Sequence, residues 1–192
     1  MEPVLNIKIN LTNNFCVRCS MVNILEPLYI KELKLKNRLV MPPYGTDLAT
    51  DKGEVTEQHL LHYRLRAREI GLVIVEHSYV DLDGRFTATQ IGIHQDNLQS
   101  GLERLVEVIH SSGSVAAIQI NHSGGKCIQS ICKSQPMGPS SGVFSSLGRY
   151  WREPVRALKI AEIKDLTQKF GESARRAVNA GFDAVEIHAA HG

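Results

Sequence analysis

The run Leu72-Val73-Ile74-Val75 is apolar without a break. A strand with one wet face alternates apolar and polar residues, because successive side chains point to opposite faces. An unbroken run therefore marks a strand buried on both faces, the usual state in a parallel sheet. Three other short strands belong with it: Leu39-Val40-Met41, broken by Pro42-Pro43, then Val115 to Ile120, and Ala184 to Ile187. Segments of helical length lie between them. Thr56 is placed to cap a helix from Glu57 to about Glu69, with Leu61, Leu65 and Arg68 on adjoining turns and Gly71 as its stop. Asp96 with Gln99 three residues on has the pattern of a capping box. It opens a helix whose Leu98, Leu102, Leu105, Val106 and Ile109 keep helical spacing up to Gly113. A third helix is expected from about Ala161 to Ala180, with Ile163, Leu166, Phe170, Ala174 and Ala177 on one stripe and Gly181 closing it. Ahead of all these, Leu33 and Leu35 alternate as in a short hairpin strand with one wet face.

Strand and helix alternate three times before a last strand, which implies parallel pairing through right-handed crossovers. An open doubly wound sheet and a (β/α)8 barrel both satisfy that order. No Gly-x-Gly-x-x-Gly follows the first strand, which counts against the dinucleotide-binding open sheet. Each strand is followed instead by a polar, distinctive segment, as in the active-site loops of a barrel. The expected fold class is α/β, a parallel (β/α)8 TIM-barrel. A complete barrel takes about 250 residues, and this chain has 192. It is expected to supply about the first four strands and three helices. Residues 1–20 fit nothing that follows and are expected to be an extension outside the fold, leaving 21–192 as the N-terminal half of the barrel. The Ser/Gly/Pro-rich segment from Ser123 to Glu153 reads as a large loop, which in a compact domain is usually functional.

Composition excludes several classes. A net charge of +2 is too small for a nucleic-acid footprint. No apolar run approaches the roughly 18 residues of a membrane span, and the first twenty residues lack an apolar secretory core. The expected location is cytoplasmic. Four cysteines fall in two pairs, Cys16/Cys19 and Cys127/Cys132. Neither pair is framed by the turn residues of a zinc knuckle, so four reduced thiols are the expectation.

The strand ends carry the chemistry. After the first strand lies Pro42-Pro43-Tyr44-Gly45-Thr46, and the second ends in Glu76-His77-Ser78. The third carries Gln119-Ile120-Asn121-His122, and the fourth runs into His188 and His191. In a parallel barrel these segments meet at one face. They offer hydrogen-bond donors and acceptors and two imidazoles, but no nucleophile elbow and no carboxylate pair set for glycoside hydrolysis. Such a ring suits a planar, hydrogen-bonding cofactor. A metal pair is an alternative reading of the two imidazoles, with His122 or His77 as a third ligand and a barrel hydrolase or lyase as the product. Glu76 and Glu186 are expected to be internal hydrogen-bond or ion-pair partners. His59, His62, His94 and His110 are expected to be solvated, and Arg64 to Arg68 to form a wet helix face.

From Leu25 to Gly192 the sequence resembles the Old Yellow Enzyme family of FMN-dependent NAD(P)H:flavin oxidoreductases and ene-reductases. The resemblance rests on Lys36-Asn37-Arg38-Leu39-Val40-Met41-Pro42-Pro43, Gly71 to Glu76, Gly84-Arg85, Gln119 to Gly124, Gly181-Phe182-Asp183 and, most specific, Glu186-Ile187-His188-Ala189-Ala190-His191-Gly192. It implies a (β/α)8 barrel with FMN across the carboxyl ends of the strands and NADH or NADPH as hydride donor. Pro42, Pro43, Tyr44 and Gly45 would pass along the flavin ring, His77 would meet it at the second strand, and the Gln119 amide would pair with its pyrimidine edge. His188 and His191 are implied as the catalytic pair that holds the oxygen of an activated alkene, a small-molecule substrate. Family members often carry Cys or Thr where Gly45 stands, and Thr46 is the nearest substitute. The usual arginine of the third-strand motif is replaced by Gly125, followed by Lys126. No resident metal is expected, and the partner expected is a second copy of the chain or a polypeptide supplying the missing half. A truncated, non-catalytic product is the alternative of a different class.

Overall fold

The structure is a computed structural model that describes residues 23–143 and 153–191. The expected extension over residues 1–20, with Cys16 and Cys19, lies outside the described residues, as do 144–152 of the long loop and Gly192. In chain order the elements are β1 (Leu28–Ile30), β2 (Leu33–Leu35), β3 (Val40–Met41), α1 (Glu57–Ala67), β4 (Leu72–Tyr79), α2 (Gln99–His110), β5 (Val115–Asn121), α3 (Gln129–Cys132), β6 (Met137–Gly138), β7 (Arg156–Ala157), α4 (Ile160–Asn179) and β8 (Ala184–Ile187).

β3, β4, β5 and β8 form one parallel sheet in that order. β1 and β2 are the expected hairpin, antiparallel and turned at Lys31. Val73, Val75, Ile118 and Ile120 are sealed from solvent, whereas Leu72 and Ile74, on the other face of β4, are only half-buried, short of the two-sided burial that the unbroken run implies. α2 lays Leu102, Leu105, Val106 and Ile109 on the sheet, and α4 adds Ala177 with Leu166, Phe170 and Ala174 partly buried. Each fully buried leucine or isoleucine contributes roughly 1.5–3 kcal/mol, so this layer anchors the strand ends from behind.

Several local expectations are corrected. The buried stripe of α1 is His59, Leu60, Tyr63 and Ala67, whereas Leu61 and Leu65 are exposed. His59, expected to be solvated, is wholly buried, because its ring bonds a carboxylate beneath the helix. Asp96 forms no capping box. It opens a single 3-10 turn, Asp96–Leu98, and its carboxylate takes the Arg176 guanidinium at 2.6 Å. Ile163 lies on the exposed part of α4. The long loop holds α3, β6 and an antiparallel bridge between Gly142 and Val155.

The Lys36-Asn37 pair has a structural task at the end of the sheet opposite the strand tips. The Lys36 ammonium donates to the carbonyls of Ala67, Arg68 and Ser112, holding the carboxyl ends of α1 and α2 together. A cation is favoured there, because terminal helix carbonyls lack partners and carry the negative end of the helix dipole. Asn37 donates to Glu69 O at 2.8 Å and accepts from Leu39 N–H. Gly71 is required by this packing rather than as a helix stop, since a Cβ there would overlap the Asn37 carbonyl. Gly113 differs: it takes φ +71° with no atom near its missing Cβ. Gly113→Ala is therefore expected to cost about 1–2 kcal/mol for left-handed backbone. Gly71→Ala has to displace a neighbouring backbone, which puts it at the top of the overpacking range, about 3 kcal/mol. Urea denaturation of the two variants checks the order.

Candidate functional site

The carboxyl ends of β3, β4, β5 and β8 open onto a cavity of about 410 Å³, within the range of small-molecule sites. Five of the eight residues singled out in the sequence line it: Pro43, His77, Gln119, His188 and His191. Pro42, Tyr44 and Gly45 do not. Tyr44 is 69% exposed, and Gly45 sits behind His77, whose Nε2 is 2.8 Å from where a Cβ on residue 45 would stand. Phe86, Asn121, His122, Ser123, Lys126 and Ala190 complete the lining. Asn121, His122 and Ser123 belong to the third-strand motif and were readable. Phe86 and Lys126 come from loops with no periodic signal.

β4 reaches the cavity through a bulge. Its register with β5 slips between Val75 and Ser78, which pair with Ile118 and Ile120. Two residues, Glu76 and His77, thus stand opposite Gln119. A bulge breaks the two-residue alternation and re-aims a side chain, and here the result is that Glu76 is buried under α1 while His77 lines the cavity.

Glu76 ties three segments together. Its carboxylate accepts from Thr46 N–H at 2.5 Å, Thr46 Oγ1 at 2.6 Å and His59 Nε2 at 3.0 Å, and Tyr63 Oη accepts from its own N–H. His59 Nδ1 accepts from Thr56 N–H, so the ring donates to Glu76 through Nε2–H. Burial pushes the Glu76 carboxyl up, but the bonds from His59 and Thr46 outweigh it and leave the group below its ordinary range. The Thr46 hydroxyl is consumed in this network and does not replace the side chain that Gly45 lacks. Glu186 is the other expected partner carboxylate, and it accepts from Gln119 Nε2 at 2.5 Å.

Each cavity imidazole has a defined role. Gln90 accepts from Phe86 N–H through Oε1 and donates through Nε2 to His77 Nδ1 at 2.7 Å, which puts the His77 proton on Nε2. His122 Nδ1 accepts from Gly124 N–H, so it too carries its proton on Nε2. His191 takes a left-handed backbone, φ 68°, and its Nδ1 lies 3.0 Å from His188 Nε2, so one N–H is shared between the pair. Burial lowers the pKa of His77, His122 and His188, and for His188 the neighbouring His191 and His77 add to the effect. At neutral pH these three are uncharged donors, and no carboxylate lines the cavity. Cys127 and Cys132 are buried free thiols, with burial pushing the Cys127 thiol far up. Among the described residues no group of three His, Cys, Asp or Glu side chains is arranged to hold a metal ion. No helix among them is long and apolar enough to cross a membrane.

A parallel sheet with a ligand-sized cavity at its strand ends is the arrangement of α/β barrels and of open doubly wound sheets alike. The chain belongs to the NADH:flavin oxidoreductase / NADH oxidase family, whose sequence profile matches residues 23–192. It is 39% identical over 166 residues to the NADH oxidase of Thermoanaerobacter brockii, an alignment spanning 85% of this chain and 25% of that protein. It is 37% identical over 172 residues to an NADPH dehydrogenase of Clostridium acetobutylicum, spanning 89% and 49%. The chain thus spans half or less of the length of these relatives. The Old Yellow Enzyme from Pichia sp. AKU4542 superimposes with a TM-score of 0.81 at 27% identity, over 88% of this chain and 46% of that one. The Old Yellow Enzyme homologue from Zymomonas mobilis gives 0.80 at 27%, over 86% and 48%. Morphinone reductase in complex with tetrahydroNAD gives 0.77 at 27%, over 86% and 49%. The four parallel strands and their helices are accordingly part of a (β/α)8 barrel.

Two outcomes follow from this geometry. Because the folded pKa of Glu76 is depressed, its contribution to stability is complete above the unfolded value and is lost as pH falls through the folded one. Stability is therefore expected to drop on the acid side of the ordinary glutamate range. Glu76→Gln should cost about 1.5–3 kcal/mol at pH 7 and flatten that acid limb, as measured by urea denaturation from pH 3 to 7. Gly45→Ala should destabilise the protein by about 1–3 kcal/mol through overlap with His77. In the double variant with His77→Ala the penalty at residue 45 should largely vanish, a coupling that a double-mutant cycle reads directly.

Proposed function

We propose that this chain provides the catalytic histidines and one side of the flavin site of an FMN-dependent oxidoreductase, which takes hydride from NADH or NADPH and passes it to an activated alkene or similar acceptor. The observation that carries the reading is the convergence of His188, His191, Gln119, His77 and Pro43 on one acid-free cavity. FMN bound there supplies the hydride chemistry.

The residues present fit that group. The cavity is large enough for a ring system and its polar lining is uncharged apart from Lys126. Gln119 has one amide hydrogen committed to Glu186 and keeps its carbonyl oxygen and second hydrogen for a pyrimidine edge that offers both donor and acceptor. His77 Nε2–H is a further donor on the same wall. Pro42 to Gly45 would contribute backbone alone, which agrees with the exposed Tyr44 side chain. His188 and His191 would bind the acceptor oxygen. An oxygen entering the cavity competes for the N–H that the two rings now share, and donors aimed at it stabilise the negative charge that builds as the β-carbon is reduced.

The cytoplasmic location belongs to the same proposal, and so does a partner along the outer strands β3 and β8, where Ile187 is 64% exposed. Both the 192-residue chain and a version extended with the C-terminal half of a relative should be titrated with FMN. Yellow, FMN-loaded protein that oxidises NADH or NADPH is the expected result for the extended version. His188→Ala with His191→Ala should leave flavin reduction comparatively intact and lower alkene turnover by about two to three powers of ten per donor lost. A colourless protein, or equal loss of both half-reactions, sinks the assignment.

A further inference from the structure

Lys126 is the one described lysine that is half-buried and has no hydrogen-bond acceptor. The other half-buried lysines are engaged: Lys36 holds three carbonyls, and Lys169 holds Asp81 and Asp165. Lys126 closes a 3-10 turn, Gly124–Lys126, with its N–H on Ser123 O at 2.9 Å. The next residue is locked, since Cys127 is buried and its thiol donates to Asp83 O. The base of the lysine is thus fixed, the residue lines the cavity with the histidines, and its charge is felt at His188.

Among the described residues no carboxylate forms an ion pair with that ammonium, although the charge of Asp83 reaches its neighbours His122 and Cys127. Glu186 is occupied by Gln119 and Asp81 by Lys169, and the charge of Lys126 acts on His188 only to oppose its protonation. A cation withdrawn from part of its water without a partner is costly, and an anion entering the cavity removes the cost.

We propose that Lys126 is a specificity-determining residue that selects acceptors bearing a carboxylate, so that the cavity takes unsaturated acids ahead of their neutral amides. This inference rests on the functional reading above for the place of the reacting oxygen, at His188 and His191. In an unsaturated acid that oxygen belongs to the carboxylate itself, whose second oxygen then lies toward Lys126, on the third-strand loop. A phosphate of the nicotinamide donor has the same charge chemistry, and the experiment separates the two sources.

The probes are trans-cinnamate and trans-cinnamamide, equal in shape and different in charge, titrated calorimetrically into the protein with and without FMN and with no reductant present. The wild-type protein should bind cinnamate at least about tenfold more tightly than the amide, the gain of one charge-assisted hydrogen bond. Added salt should shrink the difference. Lys126→Met should abolish the preference and Lys126→Arg should keep it, both with unchanged melting temperature, because the ammonium bonds nothing in the fold. Affinity for NADH and NADPH should not change. Equal binding of the two probes, no binding of either, or a preference that survives Lys126→Met overturns the proposal. So does a loss confined to NADPH, which would assign the lysine to the donor's phosphates. FMN uptake is read separately from its absorbance. Protein that takes no FMN but keeps a Lys126-dependent preference counts against the functional reading alone, and yellow protein without the preference counts against Lys126 alone.

Discussion

The carboxylate of Glu76 is the point on which the site geometry depends. Two segments donate hydrogen bonds to it, the loop after β3 through Thr46 N–H and Oγ1 and α1 through His59 Nε2, while β4 supplies the acid itself. A buried anion is tolerated only when its lone pairs are filled, so these donors have little freedom to wander. The requirement fixes the path of Pro43 past the cavity. It also gives the bulge in β4 its physical sense. Regular alternation after Val75 would put Glu76 on the cavity face and His77 on the helix side, and the extra residue exchanges them.

The layout separates stability from chemistry along the strand axis. At one end of the sheet Lys36, Asn37 and Ser114 gather the last carbonyls of α1 and the loop behind it. At the other end the polar groups are arranged for a ligand and leave several hydrogen-bonding positions open. The apolar layer of Val73, Val75, Ile118 and Ile120 lies between. Apart from the Thr46 segment tied to α1 through Glu76, loops at the strand tips can therefore vary in sequence without loosening the helix packing, the usual advantage of a barrel.

Much of this was legible in the sequence, because parallel strands buried on both faces write themselves as unbroken apolar runs. The strand at Leu72, the α2 stripe from Leu102 to Ile109 and the closing glycine at Gly181 all follow from local pattern. What escaped depends on contacts between distant residues. Leu61 and Leu65 look like core by composition, yet α1 turns His59 and Tyr63 inward because Glu76 lies beneath them. Asp96 has the spacing of a cap, but Arg176, eighty residues away, offers a charged partner and a backbone N–H does not compete. The bulge at Glu76-His77 has no sequence mark, and without it the alternation of β4 puts these side chains on the wrong faces. Of the candidate site, the motif residues at the strand tips were readable. Phe86, brought in by a loop, was not, and Lys126 stood out only through its place beside the third-strand motif.

The contact between Gly45 and His77 has a consequence in evolutionary time. A position in the loop after β3 and one in β4 share one volume, so the order in which they change is constrained. A line of descent can shrink residue 77 first and then enlarge residue 45, but the reverse route passes through a clash. Relatives with a larger residue at 45 should be separated from this chain by an intermediate that has small residues at both positions.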